Sequence, residues 1–444
     1  MKYFSLAILL SLSCYAQDLS LNQAIEQIKS KNLEVQIADY ELKASRLDID
    51  RVEASNYGKL DFTQNIMRSN DAANVFGFKL TSREATFNDF GFSEFGNIPM
   101  DAPIQGLNYP GNQNFFQSKL RYELPLYTGD KISAYEDIAK QMKDISSLDK
   151  QALINTKIFE TRKAYYNMAL LESSLKNLSL ISKNISHLEK MTQDMIQEGY
   201  AKKIDLLEVQ SKKANISRII SELKANKELL YHFLSFLLNQ DIKQIQLPQG
   251  ELKLPQLSNA LDNNINIQKS LTALKIHKNL LRAESSRNLP TIGAMAEIQT
   301  ADNSFLGEAN KHKSYSLGLQ LKWNIFSAGA DSAAIEKSRM NYLKMQTQTQ
   351  LVKQAMSLQL KKIKTHIKSS EEKIINLNLE LDLAQKIYEN YEGRYKEQLS
   401  SMSEVIVKQS NWLAKVLELL KAKNMKNQAI FSLQKLINLE GNPL

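Results

Sequence analysis

One order of landmarks occurs twice along this chain, and any fold must accommodate both copies. A strand-like segment ends, a proline-free run of about 65 residues opens beside a glycine, a short break follows, and a second long helix-like run returns. The first copy leaves its strand through Leu124-Pro125-Leu126-Tyr127-Thr128-Gly129, the second through Trp323-Asn324-Ile325-Phe326-Ser327-Ala328-Gly329. Farther on, Asp205-Leu206-Leu207-Glu208-Val209-Gln210 is echoed by Glu404-Val405-Ile406-Val407-Lys408-Gln409. Upstream, Asn32-Leu33-Glu34-Val35-Gln36 is echoed by Asn264-Ile265-Asn266-Ile267-Gln268. Landmarks that recur in one order argue for a tandem duplication, the signature of a repeat architecture. We therefore divide the chain into a first repeat at 17–250 and a second at 251–444, and expect one elongated body rather than separate globular domains.

Low Gly and Pro counts, 15 and 8, with 43% apolar residues, fit a mostly helical folded protein. The net charge of +9 is spread among acidic residues without an aromatic-interleaved basic patch, which describes solvated helix faces rather than a nucleic-acid surface. Residues 1–16 read as a secretion signal: Met1-Lys2, an apolar stretch from Phe4 to Leu10, and small residues before cleavage after Ala16. The stretch is too short to span a bilayer. Cleavage there removes Cys14, so the mature chain has no disulfide or thiolate site. A lipoprotein signal with Cys14 lipidated is the alternative, and Ser11 stands where such signals usually carry an aliphatic residue.

Two periods alternate along the mature chain. Residues about 20 to 56 space Leu21, Ile25, Ile28, Leu33 and Ile37 along one helix face. Leu60, Phe62, Gln64 and Ile66 then alternate with Asp61, Thr63 and Asn65, and Phe116, Leu120, Tyr122 and Leu124 alternate with Gln117, Lys119, Arg121 and Glu123. In the second copy Ile292, Ala294, Ala296 and Ile298 precede Tyr315, Leu317, Leu319, Leu321, Trp323 and Ile325, which face away from Ser316, Gly318, Gln320 and Lys322. Period two predicts strands at about 59–69, 114–127, 290–300 and 313–326. Strands of roughly 10 to 13 residues suit a tilted bilayer crossing, although a soluble sandwich sheet shows the same alternation. Tyr122, Tyr127, Tyr315 and Trp323 are candidates for an aromatic girdle.

Long helices are expected at about 131–198 and 331–396, returning at about 205–238 and 404–438. Leu171, Leu178 and Ile185, with Ile181, Leu188 and Met195, recur every seventh residue and predict a coiled-coil seam. A run of about 65 helical residues would reach about 100 Å, beyond any compact globule. Four amphipathic strands cannot close a barrel alone, and open edges are not tolerated in hydrocarbon, so several chains must share one barrel. Three copies supply twelve strands. His187, His232, His277, His312 and His366 are scattered without metal-ligand spacing, and no phosphate loop or nucleophile elbow occurs, so neither an enzyme nor a cofactor or metal is expected.

This pattern resembles the TolC-like outer-membrane efflux proteins over essentially all of the mature chain. The likeness is carried by the two helix-strand-strand-helix-helix copies and the strand exits at Thr128-Gly129 and Ser327-Ala328-Gly329. It is also carried by the Glu198-Gly199-Tyr200 break before Asp205-Leu206-Leu207 and by Asn288-Leu289-Pro290-Thr291 entering the third strand. It implies a mainly α fold with β. A long α-helical coiled-coil barrel would run through the periplasm, and each chain of a homotrimer would give four strands to a 12-stranded transmembrane barrel in the outer membrane of a Gram-negative bacterium. The role implied is the passive exit duct of a tripartite efflux or type I secretion system, working with a periplasmic adaptor (membrane fusion) protein and an inner-membrane pump. The competing class is a periplasmic coiled-coil tether without transport, which needs no strands facing lipid.

The resemblance puts the periplasmic tips at residues 198–205 and 395–404, with Gly199, Tyr200, Lys202, Lys203, Gln398 and Ser400 as adaptor contacts and Asp205, Tyr395 and Glu404 as gate candidates. Gly199 falls on the family's tip glycine, whereas Gln398 replaces it in the second copy. Glu404 stands where the family often has a pore-facing aspartate, so a trimer would converge three carboxylates. Tyr395 and Asp205 match positions that tie neighbouring tips in some members, and Ser400 stands where those members carry arginine, so the tie is weaker here or Lys202 and Lys203 replace it. Asp205 and Glu404 also suit a helix start on capping grounds alone, and Gly199 suits a left-handed helix end. The first copy carries an insertion from about 69 to 114, rich in Phe, Gly, Asn and Asp, expected outside the cell, where it constricts the duct mouth or packs over the barrel.

Overall fold

A computed structural model describes residues 18–248, 250, 252–255, 260–305 and 312–439; the secretion signal and Cys14 lie outside them. In chain order the elements are α1 (Leu21–Lys31), α2 (Leu33–Ala54), β1 (Lys59–Ser69), α3 (Ala72–Thr81), α4 (Gln105–Asn108), β2 (Gln113–Tyr127), α5 (Lys131–Gln197) and α6 (Lys203–Leu238). The second copy gives α7 (Ile265–Ser285), β3 (Thr291–Asp302), β4 (Lys313–Lys322), α8 (Ala330–Lys396) and α9 (Met402–Leu436). Both long helices have 67 residues, so residue 131 matches 330 and residue 197 matches 396. Two compact units cut across the copies: among the described residues one draws on 18–43, 145–271 and 347–439, the other on 44–144 and 272–346.

In the helical unit the predicted seam is buried. Leu178, Ile181, Ile185 and Leu188 of α5 are at most 1% exposed and share one core with Val209 and Ile216 of α6, Tyr388 and Tyr395 of α8, and Met402, Val405 and Leu413 of α9. Each buried leucine in such a core is worth about 2–5 kcal/mol on truncation to alanine. The first helical run is broken where one helix had been expected, because Asn32 ends α1 in an extended conformation. Its buried side chain accepts from the Val35 N–H at 3.1 Å and donates to the Leu237 carbonyl of α6 at 2.8 Å. The echoed Asn264 does the same, accepting from Ile267 N–H at 3.1 Å and donating to Leu436 of α9 at 2.7 Å. One asparagine therefore caps the start of one helix and satisfies the end of another, in both copies.

The other unit holds a four-stranded antiparallel sheet in the order β1-β2-β3-β4. Register puts like with like: Leu60 opposes Tyr122, Phe62 opposes Leu120, Leu120 opposes Ile298, and Ile298 opposes Tyr315. On the opposite face Asp61, Arg121, Glu297 and Ser316 form one row. Arg121 pairs with Glu123 at 2.7 Å and Lys119 with Glu297 at 3.3 Å, while Gln117 donates to Gln299 at 2.8 Å. Gly58, with φ +72°, admits this approach of strands: a Cβ there would lie 2.0 Å from the Glu123 carbonyl oxygen.

β4 stops at Lys322, short of the expected 326. The last pair is Thr291 with Lys322, and the residue before Thr291 is Pro290, which has no N–H to offer, so Trp323 onward has no ladder partner. The Trp323 indole instead donates to the Asn288 carbonyl at 3.2 Å. The insertion is partly regular, with α3 and α4 separated by a 3-10 turn at Phe87–Phe90, and Phe78 of α3 stacks on Phe115 of β2 at 4.3 Å. Among the described residues no helix is long and apolar enough to cross a membrane.

Candidate functional site

Both tips lie in the helical unit, and both are built by one backbone device. Gly199 has φ +81° and Gln398 φ +61°. Tyr200 N–H reaches back to Met195 O at 2.7 Å and Gly199 N–H to Ile196 O at 3.1 Å; Leu399 N–H reaches Arg394 O at 2.7 Å and Gln398 N–H reaches Tyr395 O at 3.0 Å. Two such bonds around a left-handed residue terminate a helix while satisfying its last carbonyls. Glutamine therefore keeps the geometry that glycine adopts in the first copy, at the cost that a Cβ brings to that backbone region.

The returning helices start with carboxylates placed three residues inside the cap. Asp205 accepts from the Lys202 N–H at 2.8 Å. Glu404 accepts from the Ser401 N–H at 2.8 Å and the Ser401 hydroxyl at 3.0 Å, and the Glu404 N–H donates to that hydroxyl at 3.3 Å. The second tip thus has the full reciprocal box. These bonds to Ser401 hold the Glu404 carboxyl below its ordinary value of 4.5, with the Arg394 and Lys408 charges adding to the effect. Lys202 and Lys203 break the local rule, since cations at a helix start oppose its dipole.

Tyr395 is buried, unlike the other candidate residues at the tips, and its hydroxyl is shielded from solvent. Burial pushes its phenol up; the Thr192 hydroxyl offsets part of this, and the nearby Asp205 carboxylate adds to it. Tyr395 and Asp205 are thus brought together, while Glu404 sits with Arg394 and Lys408. Arg394 donates to Leu399 O at 3.1 Å and lies over the Tyr391 ring at 5.4 Å, with Lys408 over the same ring at 5.0 Å. Ser400, placed where a relative's arginine would stand, donates to Tyr391 O at 3.2 Å, and the positive charges that act on the second tip's carboxylate are those of Arg394 and Lys408.

Gly199, Tyr200, Lys202, Lys203 and Gln398 are exposed, and Ser400 is half-buried. The sequence reading missed Leu399. It is the counterpart of Tyr200, and the two are 66% and 64% exposed, an apolar side chain at the apex of each turn. The repeat spacing that matches 197 to 396 would have found it.

With this geometry in view, comparison with known proteins is direct. The family model described as outer membrane efflux protein matches residues 256–439. Those residues are an outer membrane efflux protein domain. The resemblance drawn from the sequence agrees with this match over those residues. Solved structures share the fold of this chain. The Campylobacter jejuni CmeC outer membrane channel aligns with TM-score 0.77 at 15% identity, covering 94% of this chain and 85% of its own. The outer membrane protein VceC from Vibrio cholerae aligns with TM-score 0.79 at 12% identity, covering 94% and 96%. The open state of the Neisseria gonorrhoeae MtrE outer membrane channel aligns with TM-score 0.75 at 14% identity, covering 94% and 88%. No curated sequence matches the chain.

Proposed function

We propose that the chain is the passive exit duct of a tripartite efflux or type I secretion system, assembled as a homotrimer. It spans the outer membrane of a Gram-negative bacterium with its strands and reaches through the periplasm with its helices. The observation that carries this reading is the sheet. One face carries the apolar rows Leu60-Tyr122-Ala296-Leu317 and Phe62-Leu120-Ile298-Tyr315, bounded by the polar row Gln64-Ser118-Thr300-Lys313, the other is charged and amide-lined, and β1 and β4 have no further partner within the described residues. An 11-residue strand such as β1 at about 3.3 Å per residue, tilted by about 40°, covers roughly 28 Å, close to a hydrocarbon core. Open edges in that setting require neighbours of the same kind. Exposed stripes on the helices, including Leu351 and Leu358 of α8 and Leu33, Ile37 and Tyr40 of α2, are surfaces for the same assembly. A periplasmic tether leaves the apolar sheet face unexplained.

At the tips, Tyr200, Leu399, Lys202 and Lys203 are the surface offered to a periplasmic adaptor, with Gly199, Gln398 and Ser400 setting the turns. Asp205, Tyr395 and Glu404 are the gate candidates, and threefold assembly would bring three Glu404 carboxylates together. The test is mass in detergent together with conductance in planar bilayers. Three chains and a small, cation-blocked conductance support the duct; a stable monomer without detergent overturns it.

A further inference from the structure

The sheet unit contains a cluster that the duct reading does not use. Glu84 follows α3 in the insertion, Asp302 is the last residue of β3, and His312 directly precedes β4. One ligand atom from each lies within 4.8 Å of the other two. We propose that Glu84, Asp302 and His312 form a binding site for a divalent transition ion of the zinc class, which ties the insertion to the ends of β3 and β4.

The side chains are held for this. The Ser82 hydroxyl donates to Glu84 Oε2 at 2.9 Å and the Asn303 amide to Oε1 at 3.2 Å, while the Glu84 N–H donates to Lys79 O at 2.8 Å. Asp302, only 7% exposed, accepts from the Asn303 N–H at 2.7 Å through Oδ1. Its Oδ2 lies 3.6 Å from His312 Nδ1, a nitrogen shielded from solvent and without a hydrogen-bond partner among the described residues. That separation is too long for a hydrogen bond. It is close to the edge of a tetrahedron around a metal with bonds of about 2.1 Å, roughly 3.4 Å. Glu84 offers an oxygen within 4.8 Å of both, and a change of its side-chain torsions closes it onto the same ion. An imidazole with two carboxylates suits zinc-like ions, whereas calcium and magnesium prefer oxygen alone. The scaffold is packed independently: Phe78 of α3, Phe115 of β2 and Ala301 of β3 form one buried cluster beside the site.

The test is calorimetric titration of zinc chloride into chelator-stripped, full-length protein in detergent. One zinc ion per chain should bind, with no matching calcium or magnesium signal. His312→Ala and the near-isosteric Asp302→Asn and Glu84→Gln should each weaken zinc binding by a factor of about 10 to 100 or more, at least what loss of a supporting group costs. Glu404→Gln should leave this one-per-chain component in place and remove at most a separate component of one ion per three chains, which separates the site from any carboxylate ring at the tips. Equal zinc binding by the parent and by variants that elute like it overturns the proposal, as does loss that follows Glu404 instead.

Discussion

The residues that most constrain this chain are small polar ones doing two jobs. Asn264 caps α7 and fills the last carbonyl of α9, so Asn264→Ala removes a cap and orphans a buried acceptor. A loss of about 1–3 kcal/mol is expected, read as a lower unfolding midpoint in denaturant. A change under about 0.5 kcal/mol would mean that the site is surface-like. Glu404 offers a second reading by pH. Its folded value is lowered by Ser401, so the α9 cap is stabilising above 4.5 and is lost as pH falls through the lowered value. Convergence of three carboxylates acts in the opposite direction, raising the value through mutual repulsion. Hydrogen exchange at residues 402–405 in the assembled protein, followed from about pH 6 to about pH 3, distinguishes the two. Protection lost only below 4.5 marks a capping carboxylate, and a transition above it marks a ring.

At the scale of elements, the helices and strands were readable because both obey periods that packing enforces. The heptads at Leu178, Ile181, Ile185 and Leu188 are the tip core itself, and the alternating strands pair in the register that keeps their apolar rows together. What escaped the sequence was set by partners far along the chain. β4 ends where β3 runs out, and Asn32 breaks a helix because α6 presents a carbonyl to it. His312 stands alone in sequence, and only the fold brings Glu84, from well over two hundred residues away, to its side. Arg394 was overlooked because its charge reaches Glu404 through a turn, not through a motif. The lysines at the start of α6 carry an element-scale prediction. Lys202→Ser should stabilise that helix by about 0.5–1 kcal/mol while weakening capture by the cognate adaptor. If stability and adaptor capture rise together, the lysines are not a contact.

At the scale of the molecule, the proposed duct rests on the sheet meeting copies of itself at its two open edges. Gly58→Ala should lower the yield of membrane-inserted assembly sharply, because the added Cβ meets the Glu123 carbonyl at 2.0 Å on a left-handed backbone; normal heat-modifiable oligomer on gels would refute this. The family resemblance was legible early because so many weak motifs shared one order.

The equal length of α5 and α8 makes the repeat a pair of rulers. Removing seven residues from one would shorten it by about 10 Å against the other, so that the tips of the proposed trimer would no longer lie level. The same deletion matched in all four long helices shortens the rulers together and keeps the seam in phase. Change in reach therefore comes in paired steps of whole heptads, and a lone insertion in either copy is the kind of variant such a chain is least able to carry.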